Sequence, residues 1–156
     1  GLIADVLARS VVLPVGVDLR RIDGAPPIEG DLPRIIWNQR WEYDKGPAEL
    51  AAALTSLHRR GADFEVILAG EQFPTDPDEF VALRDELGDR IIHYGWAQPD
   101  EYVSLLASGN VVVSTAHHEY FGIAVTEAIY AGAFPVLPNR LVYPERIPSH
   151  YHARCL

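Results

Sequence analysis

A doubly wound parallel α/β sheet is the fold this sequence predicts, on three observations. Short apolar runs alternate with stretches at helical spacing, in βαβα order. Glycine and proline separate those segments cleanly. The apolar runs are continuous, as strands covered by helices on both faces require. A chain of 156 residues is enough for one such core.

Ser10–Asp18 can be read as an early strand, and Arg20 to Pro33, rich in glycine, proline and acid, as a loop or linker. Regular structure begins near Arg34 with the strand Arg34–Asn38. Gly46-Pro47 opens a helix, because proline suits the first helical position, and Leu50, Leu54 and Leu57 fall on one face. Gly61 closes it. Phe64–Ala69 is the second strand. Asp76-Pro77-Asp78-Glu79 then offers an N-cap, proline at the first helical position and a capping-box glutamate, ahead of the stripe Phe80, Leu83 and Leu87. Ile91–Tyr94 is the third strand, and a helix from Pro99 turns Tyr102, Leu105 and Leu106 towards the sheet. Asn110–Ser114 is the fourth. A helix from about Ile123 to Ala131 ends at Gly132, and Phe134–Leu137 resumes a strand, at an edge or a strand start because Pro135 cannot donate to a ladder. Leu141–Pro148 carries too much proline for a regular element, and one more strand and helix are expected after it.

The formal net charge of −9 argues against nucleic acid held by a broad basic surface. The acidic cluster from Glu71 to Glu86 reads as a solvated helix face. No apolar run approaches the roughly 20 residues that span a bilayer, and the first residues lack the basic character of a signal peptide. The single cysteine, Cys155, allows no internal disulfide. These features predict a cytoplasmic setting.

Chemistry concentrates where Val111–Val113 feeds a polar loop carrying Glu119, followed by Gly122 and a helix carrying Glu127. Open α/β sheets bind ligands at the carboxyl ends of their strands. A helix starting near Gly122 presents free N–H groups and partial positive charge to a phosphate. Carboxylates on either side suit hydroxyl groups, so the segment predicts a nucleotide-sugar site. Arg40 and Lys45, five positions apart after the first strand, can converge on the same edge of the sheet. The plain alternative pairs them with Glu42 and Asp44 at the surface.

From Pro14 to about Pro148 the chain resembles the C-terminal, donor-binding half of the GT-B glycosyltransferases of retaining family 4 (group 1). Pro14-Val15-Gly16-Val17-Asp18 is similar to that family's interdomain segment, Arg40 to Lys45-Gly46 to its basic pair, and Glu119 to Glu127 to its two-glutamate motif. Within the family the likeness is to its tRNA-queuosine mannosyltransferase branch, through Asn38 to Lys45, Ser114 to Gly122 and Leu141 to Glu145. The resemblance implies residues 1–33 as interdomain segment and linker, and 34–156 as a Rossmann-like nucleotide-sugar-binding domain, a fragment of a longer enzyme. It implies catalytic roles for Arg40, Lys45 and Glu119, the cations at the donor diphosphate and the carboxylate at the sugar. Donor contacts fall to the backbone around Phe121, Gly122, Ile123 and Ala124, to Glu127 at the ribose, and to Asn38, Gly95 and Trp96 near the base. It further implies retention at the anomeric carbon without a protein nucleophile, GDP-mannose as donor, and queuosine in tRNA as acceptor. The tRNA would be reached through an N-terminal half, without which the domain is expected to be inactive. Val15 departs from the asparagine common in the interdomain segment, and Gly70-Glu71 lacks the fuller glycine-rich form.

No metal cofactor is expected: in His117-His118-Glu119 adjacent side chains diverge, and no second ligand group lies at a recognised spacing. Ser114 with His117 lacks a nucleophile elbow, and neither a P-loop nor GxGxxG is present. Two other classes stay open, a family-4 domain using a UDP-linked sugar on a glycan, lipid or small-molecule acceptor, and a non-catalytic interaction domain of the same fold.

Overall fold

The computed structural model describes residues 1–11, 13–71 and 76–156. One short helix, α1 (Leu2–Leu7), precedes the sheet with its apolar side chains exposed. The strand expected over Ser10–Asp18 is not found among the described residues, and Val12 lies outside them. Among the described residues no strand pairs with that stretch, and Val11, Leu13 and Val15 remain exposed.

From Arg34 onwards strand and helix alternate: β1 (Arg34–Trp37), α2 (Pro47–Arg59), β2 (Glu65–Ala69), α3 (Asp78–Leu87), β3 (Ile91–Gly95), α4 (Pro99–Ser108), β4 (Val111–Val113), α5 (Ile123–Tyr130) and β5 (Phe134–Val136). The sheet order is β3-β2-β1-β4-β5, with every pair parallel. Winding runs outward from β1 through β2 to β3, then crosses back to set β4 on the other side of β1. The crevice between β1 and β4 is therefore the topological switch point, where such sheets bind ligands. β5 pairs with β4 alone, which is why Pro135 is tolerated there.

Successive strand residues face opposite sides of the sheet, and two cores result. Ile36, Ile67 and Val112 pack with Leu105, Leu106, Val125 and Ala128 on one side. Trp37, Val66 and Leu68 pack with Leu50, Leu54, Phe80 and Leu83 on the other. Phe80 meets Trp37 and Trp41 edge-on at ring-centroid distances of 5.3 and 5.0 Å, a favoured aromatic geometry. Ahead of the sheet, Ile22 is buried in the first core. Buried Arg34 binds Glu65 at 2.6 Å, the Glu29 carbonyl at 2.8 Å and the Ile28 carbonyl, which pins the preceding chain to the sheet.

Two local expectations are corrected. α3 begins at Asp78 with Pro77 as N-cap, so proline lies outside the first helical position and no side chain caps the helix. The Asp76 carboxylate instead accepts a hydrogen bond from the Tyr94 hydroxyl at 2.9 Å. Within Leu141–Pro148 there is a one-turn helix, α6 (Tyr143–Arg146). Pro144 lies in its first turn, where a missing N–H costs nothing, and buried Tyr143 anchors it. A last short helix, α7 (His152–Cys155), returns to the end of β5, where the Leu137 N–H donates to the Cys155 carbonyl at 2.8 Å.

Phe80→Ala is expected to lower the unfolding free energy in urea by about 3–5 kcal/mol. Val81→Ala, at the exposed neighbour, should cost less than about 0.5 kcal/mol.

Candidate functional site

Two loops meet above the switch point, one following β1 (residues 38–46) and one following β4 (residues 114–122). Gly46 has φ +68°, and a Cβ there would come within 2.5 Å of the Thr115 carbonyl oxygen, so only glycine allows this approach. The loops are laced together: Thr115 Oγ1 donates to the Lys45 carbonyl at 2.8 Å, and the His117 and His118 N–H groups donate to the Asp44 carbonyl at 2.7 and 3.2 Å. Lys45 is consequently buried. Its ammonium donates to the His118 carbonyl at 2.6 Å and lies 3.1 Å from Asp44 Oδ2 and 3.5 Å from Glu119 Oε2.

Glu119 folds back on its own loop. Its Oε1 accepts the N–H groups of Tyr120, Phe121 and Gly122 at 3.0, 3.2 and 2.9 Å. Partial burial pushes its carboxyl up, but the Gly122, Phe121 and Tyr120 N–H groups and the Lys45 charge outweigh that and hold it below the ordinary carboxylate range. The Phe121 and Gly122 N–H groups assigned to the donor are thus engaged by Glu119. Ile123 and Ala124 remain, in the first turn of α5, where N–H groups have no intrahelical partners. Gly122 is required by its left-handed backbone, φ +79°, since a Cβ would meet nothing closer than Tyr143 at 3.4 Å. Arg146 lies 3.7 Å over the Phe121 ring and steadies the loop from α6. Ser114 Oγ and the Tyr143 hydroxyl, 2.6 Å apart, join the base of the loop to α6.

Glu127 projects from α5 towards α4 and is 5% exposed. Its Oε1 accepts from Arg21, and its Oε2 accepts from the Tyr102 hydroxyl at 2.8 Å. That hydroxyl in turn accepts from Asn38 Nδ2 at 2.9 Å, and the same amide donates to the Ala124 carbonyl at 2.7 Å. Burial, and then the Glu127 charge, push the Tyr102 hydroxyl well above its ordinary pKa, so it stays a donor.

Two cavities share the wall formed by Asn38, Gln39 and Arg40. One, of about 310 Å³, is also lined by Arg21, Glu71, Trp96 and Tyr102. The other, of about 300 Å³, is lined by Lys45, Glu119, Phe121, Ile123 and Ala124. Trp96 is 63% exposed, so its ring is a cavity wall and not core packing. Gly95 ends β3, its carbonyl accepting the Gly70 N–H at 3.0 Å, and it is not among the lining residues. Arg40 lines both cavities and is half-exposed, paired at 2.8 Å with Glu42 as the plain alternative expected. Lys45 does not sit at the surface. His117 pairs with Glu49 at 2.9 Å and stacks on Tyr43.

Arg21, Glu71 and Tyr102 were not assigned to the site by sequence reasoning. Tyr102 falls on the apolar stripe of α4, which hides the use of its hydroxyl. Arg21 lies in a stretch that reads as linker. Gly70-Glu71 follows β2 at the correct edge of the sheet, the one signal that points to Glu71.

An open parallel sheet with a buried cation, carboxylates and a helix start at its switch point defines an α/β domain of doubly wound type whose crevice is suited to a phosphorylated ligand. The chain belongs to the glycosyl transferases group 1 family, whose model matches residues 20–154. It is 43% identical over 115 residues to tRNA-queuosine alpha-mannosyltransferase of Drosophila melanogaster, covering 74% of this chain and 30% of that protein. It is 27% identical over 142 residues to GDP-mannose:cellobiosyl-diphosphopolyprenol alpha-mannosyltransferase of Xanthomonas oryzae, covering 88% of this chain and 37% of that protein. The solved sucrose-phosphate synthase of Thermosynechococcus elongatus shares the fold, with a TM-score of 0.68 at 22% identity over 86% of this chain and 36% of that one. The chain spans about a third of the length of these curated relatives. The doubly wound fold and the group 1 resemblance are both borne out. Among the described residues no helix is long and apolar enough to cross a membrane.

Because the folded Glu119 carboxyl titrates below its unfolded value of about 4.3, its contribution to stability is complete above that value. It is lost as pH falls through the lower folded value. Glu119→Gln is expected to cost about 1 kcal/mol at pH 7, and the difference from the unaltered chain should shrink at pH 3 in urea unfolding. A difference independent of pH contradicts the assignment.

Proposed function

We propose that this chain is the donor-binding part of a retaining mannosyltransferase that takes GDP-mannose and delivers mannose to queuosine in tRNA. The observation that carries the reading is the placement of Lys45, Glu119 and the first turn of α5 around one cavity, sharing a wall with a second of about 310 Å³. The likeness to the Drosophila mannosyltransferase supports the acceptor, and the Xanthomonas relative's name supports the donor.

In this reading the diphosphate lies between Lys45 and the N–H groups of Ile123 and Ala124. Charge gathers on the departing phosphate as the anomeric bond breaks, and a pre-positioned ammonium stabilises it without reorganisation. Arg40, half-exposed and tied among the described residues to Glu42, exchanges that partner for phosphate and adds a forked donor. Glu119 is fully engaged through Oε1, which leaves Oε2 beside Lys45 to accept a sugar hydroxyl and not to act as a nucleophile. Trp96 stacks the base, and Glu127 serves the ribose. The departing phosphate assists deprotonation of the acceptor on the same face. The acceptor wall comes from a second half, so this chain alone binds donor without turnover.

Titration calorimetry tests the reading. GDP is expected to bind at least tenfold tighter than UDP, and Lys45→Ala and Arg40→Ala should each weaken GDP about tenfold or more, consistent with losing a charged hydrogen bond. Equal or tighter binding of UDP overturns the GDP-mannose assignment. Unchanged GDP binding in both variants overturns the placement of the diphosphate.

A further inference from the structure

Glu127, the carboxylate assigned to the ribose, is not itself on the wall of the larger cavity. Three residues that bound or brace it are: Arg21, Tyr102 and Asn38. What a nucleotide meets first is therefore the Arg21 guanidinium. Arg21 belongs to a short 3₁₀ turn, Arg20–Ile22, held down by buried Ile22. Its side chain is half-exposed while Glu127 is buried, and its guanidinium also sits 5.9 Å from the Tyr102 ring centre. Among the described residues one Nη2 contact to Glu127 is its only hydrogen bond. Several N–H donors of a fixed, planar group consequently remain for whatever fills the cavity.

We infer that Arg21 is a donor-binding residue, and that with Glu127 it forms a donor–acceptor couple for the vicinal hydroxyls of a nucleotide ribose. A hydroxyl donates one hydrogen bond and accepts others, so it is satisfied when it sits between a guanidinium N–H and a carboxylate oxygen. A vicinal diol presents two such groups. Glu127 has capacity for both: each oxygen has one observed donor, Arg21 or the Tyr102 hydroxyl, and a carboxylate accepts about four. The ion pair also keeps the buried carboxylate from being an uncompensated charge. The inference rests on the donor-pocket reading and extends the site beyond the sheet, into the segment that precedes it.

Titration calorimetry with GDP and with 2′,3′-dideoxy-GDP tests it on this chain. The unaltered chain is expected to bind GDP at least tenfold tighter than the dideoxy analogue, the scale of one or two charged hydrogen bonds. Arg21→Ala should lose about tenfold towards GDP and almost nothing towards the analogue. Arg21→Lys keeps a charged donor and should fall between them. Equal losses towards both ligands would mean that Arg21 supplies only charge or stability, no change towards either would mean that it has no part in binding, and tighter GDP binding by Arg21→Ala would mean that it competes with the ribose. Each of these results overturns the inference. Failure of the unaltered chain to bind GDP overturns the donor-pocket reading and the inference with it, whereas GDP binding without preference for the diol overturns the Arg21 assignment alone.

Discussion

The site depends on one close approach, the lacing of the loop after β1 to the loop after β4. Parallel pairing of Ile35 with Val111 and Ile36 with Val112 brings both strands to the same edge together. The two loops then leave the sheet side by side. Gly46 permits contact because nothing larger fits against the Thr115 carbonyl, and three hydrogen bonds to the Asp44 and Lys45 carbonyls close it. An ammonium carried into such a place loses most of its water, which is costly unless oxygen atoms replace it. Lys45 has three at hand, from His118, Asp44 and Glu119. The cation is thus held ready rather than recruited, as the role proposed for it at a departing diphosphate requires.

The two glutamates of the motif are held in opposite ways. Glu119 is fixed by its own loop, its ionised form favoured by three N–H groups and Lys45. Glu127 is fixed by its neighbours, Arg21 from the segment ahead of the sheet and Tyr102 from α4. Asn38, at the end of β1, links Tyr102 to α5 and lines both cavities. Although the net charge is −9, Arg21, Arg40 and Lys45 line the two cavities at this crevice, so the local field there is not that of the whole chain.

Most of the fold was legible because each boundary had a local cause: Pro47 and Pro99 at helix starts, Gly61 at a helix end, and unbroken apolar runs in the central strands. What escaped was set by tertiary contact. Asp76 reads as a helix cap, yet Tyr94 from a neighbouring strand takes its carboxylate. Leu141–Pro148 reads as irregular, yet burial of Tyr143 holds a helical turn there. At the site, Lys45, Glu119 and Glu127 were visible through spacing and resemblance, while Arg21 and Tyr102 were not. Their partner lies 106 and 25 positions away, a distance at which periodicity carries no information.

The central claim is that the switch-point crevice receives a nucleoside diphosphate, and amide hydrogen exchange with and without GDP tests it most directly. Slower exchange is predicted at Ile123, Ala124 and residues 38–46, with the first turn of α2 and the strand β5 unchanged. Protection confined to the far end of the sheet, around Pro27–Arg34 and Asn110, would contradict the account.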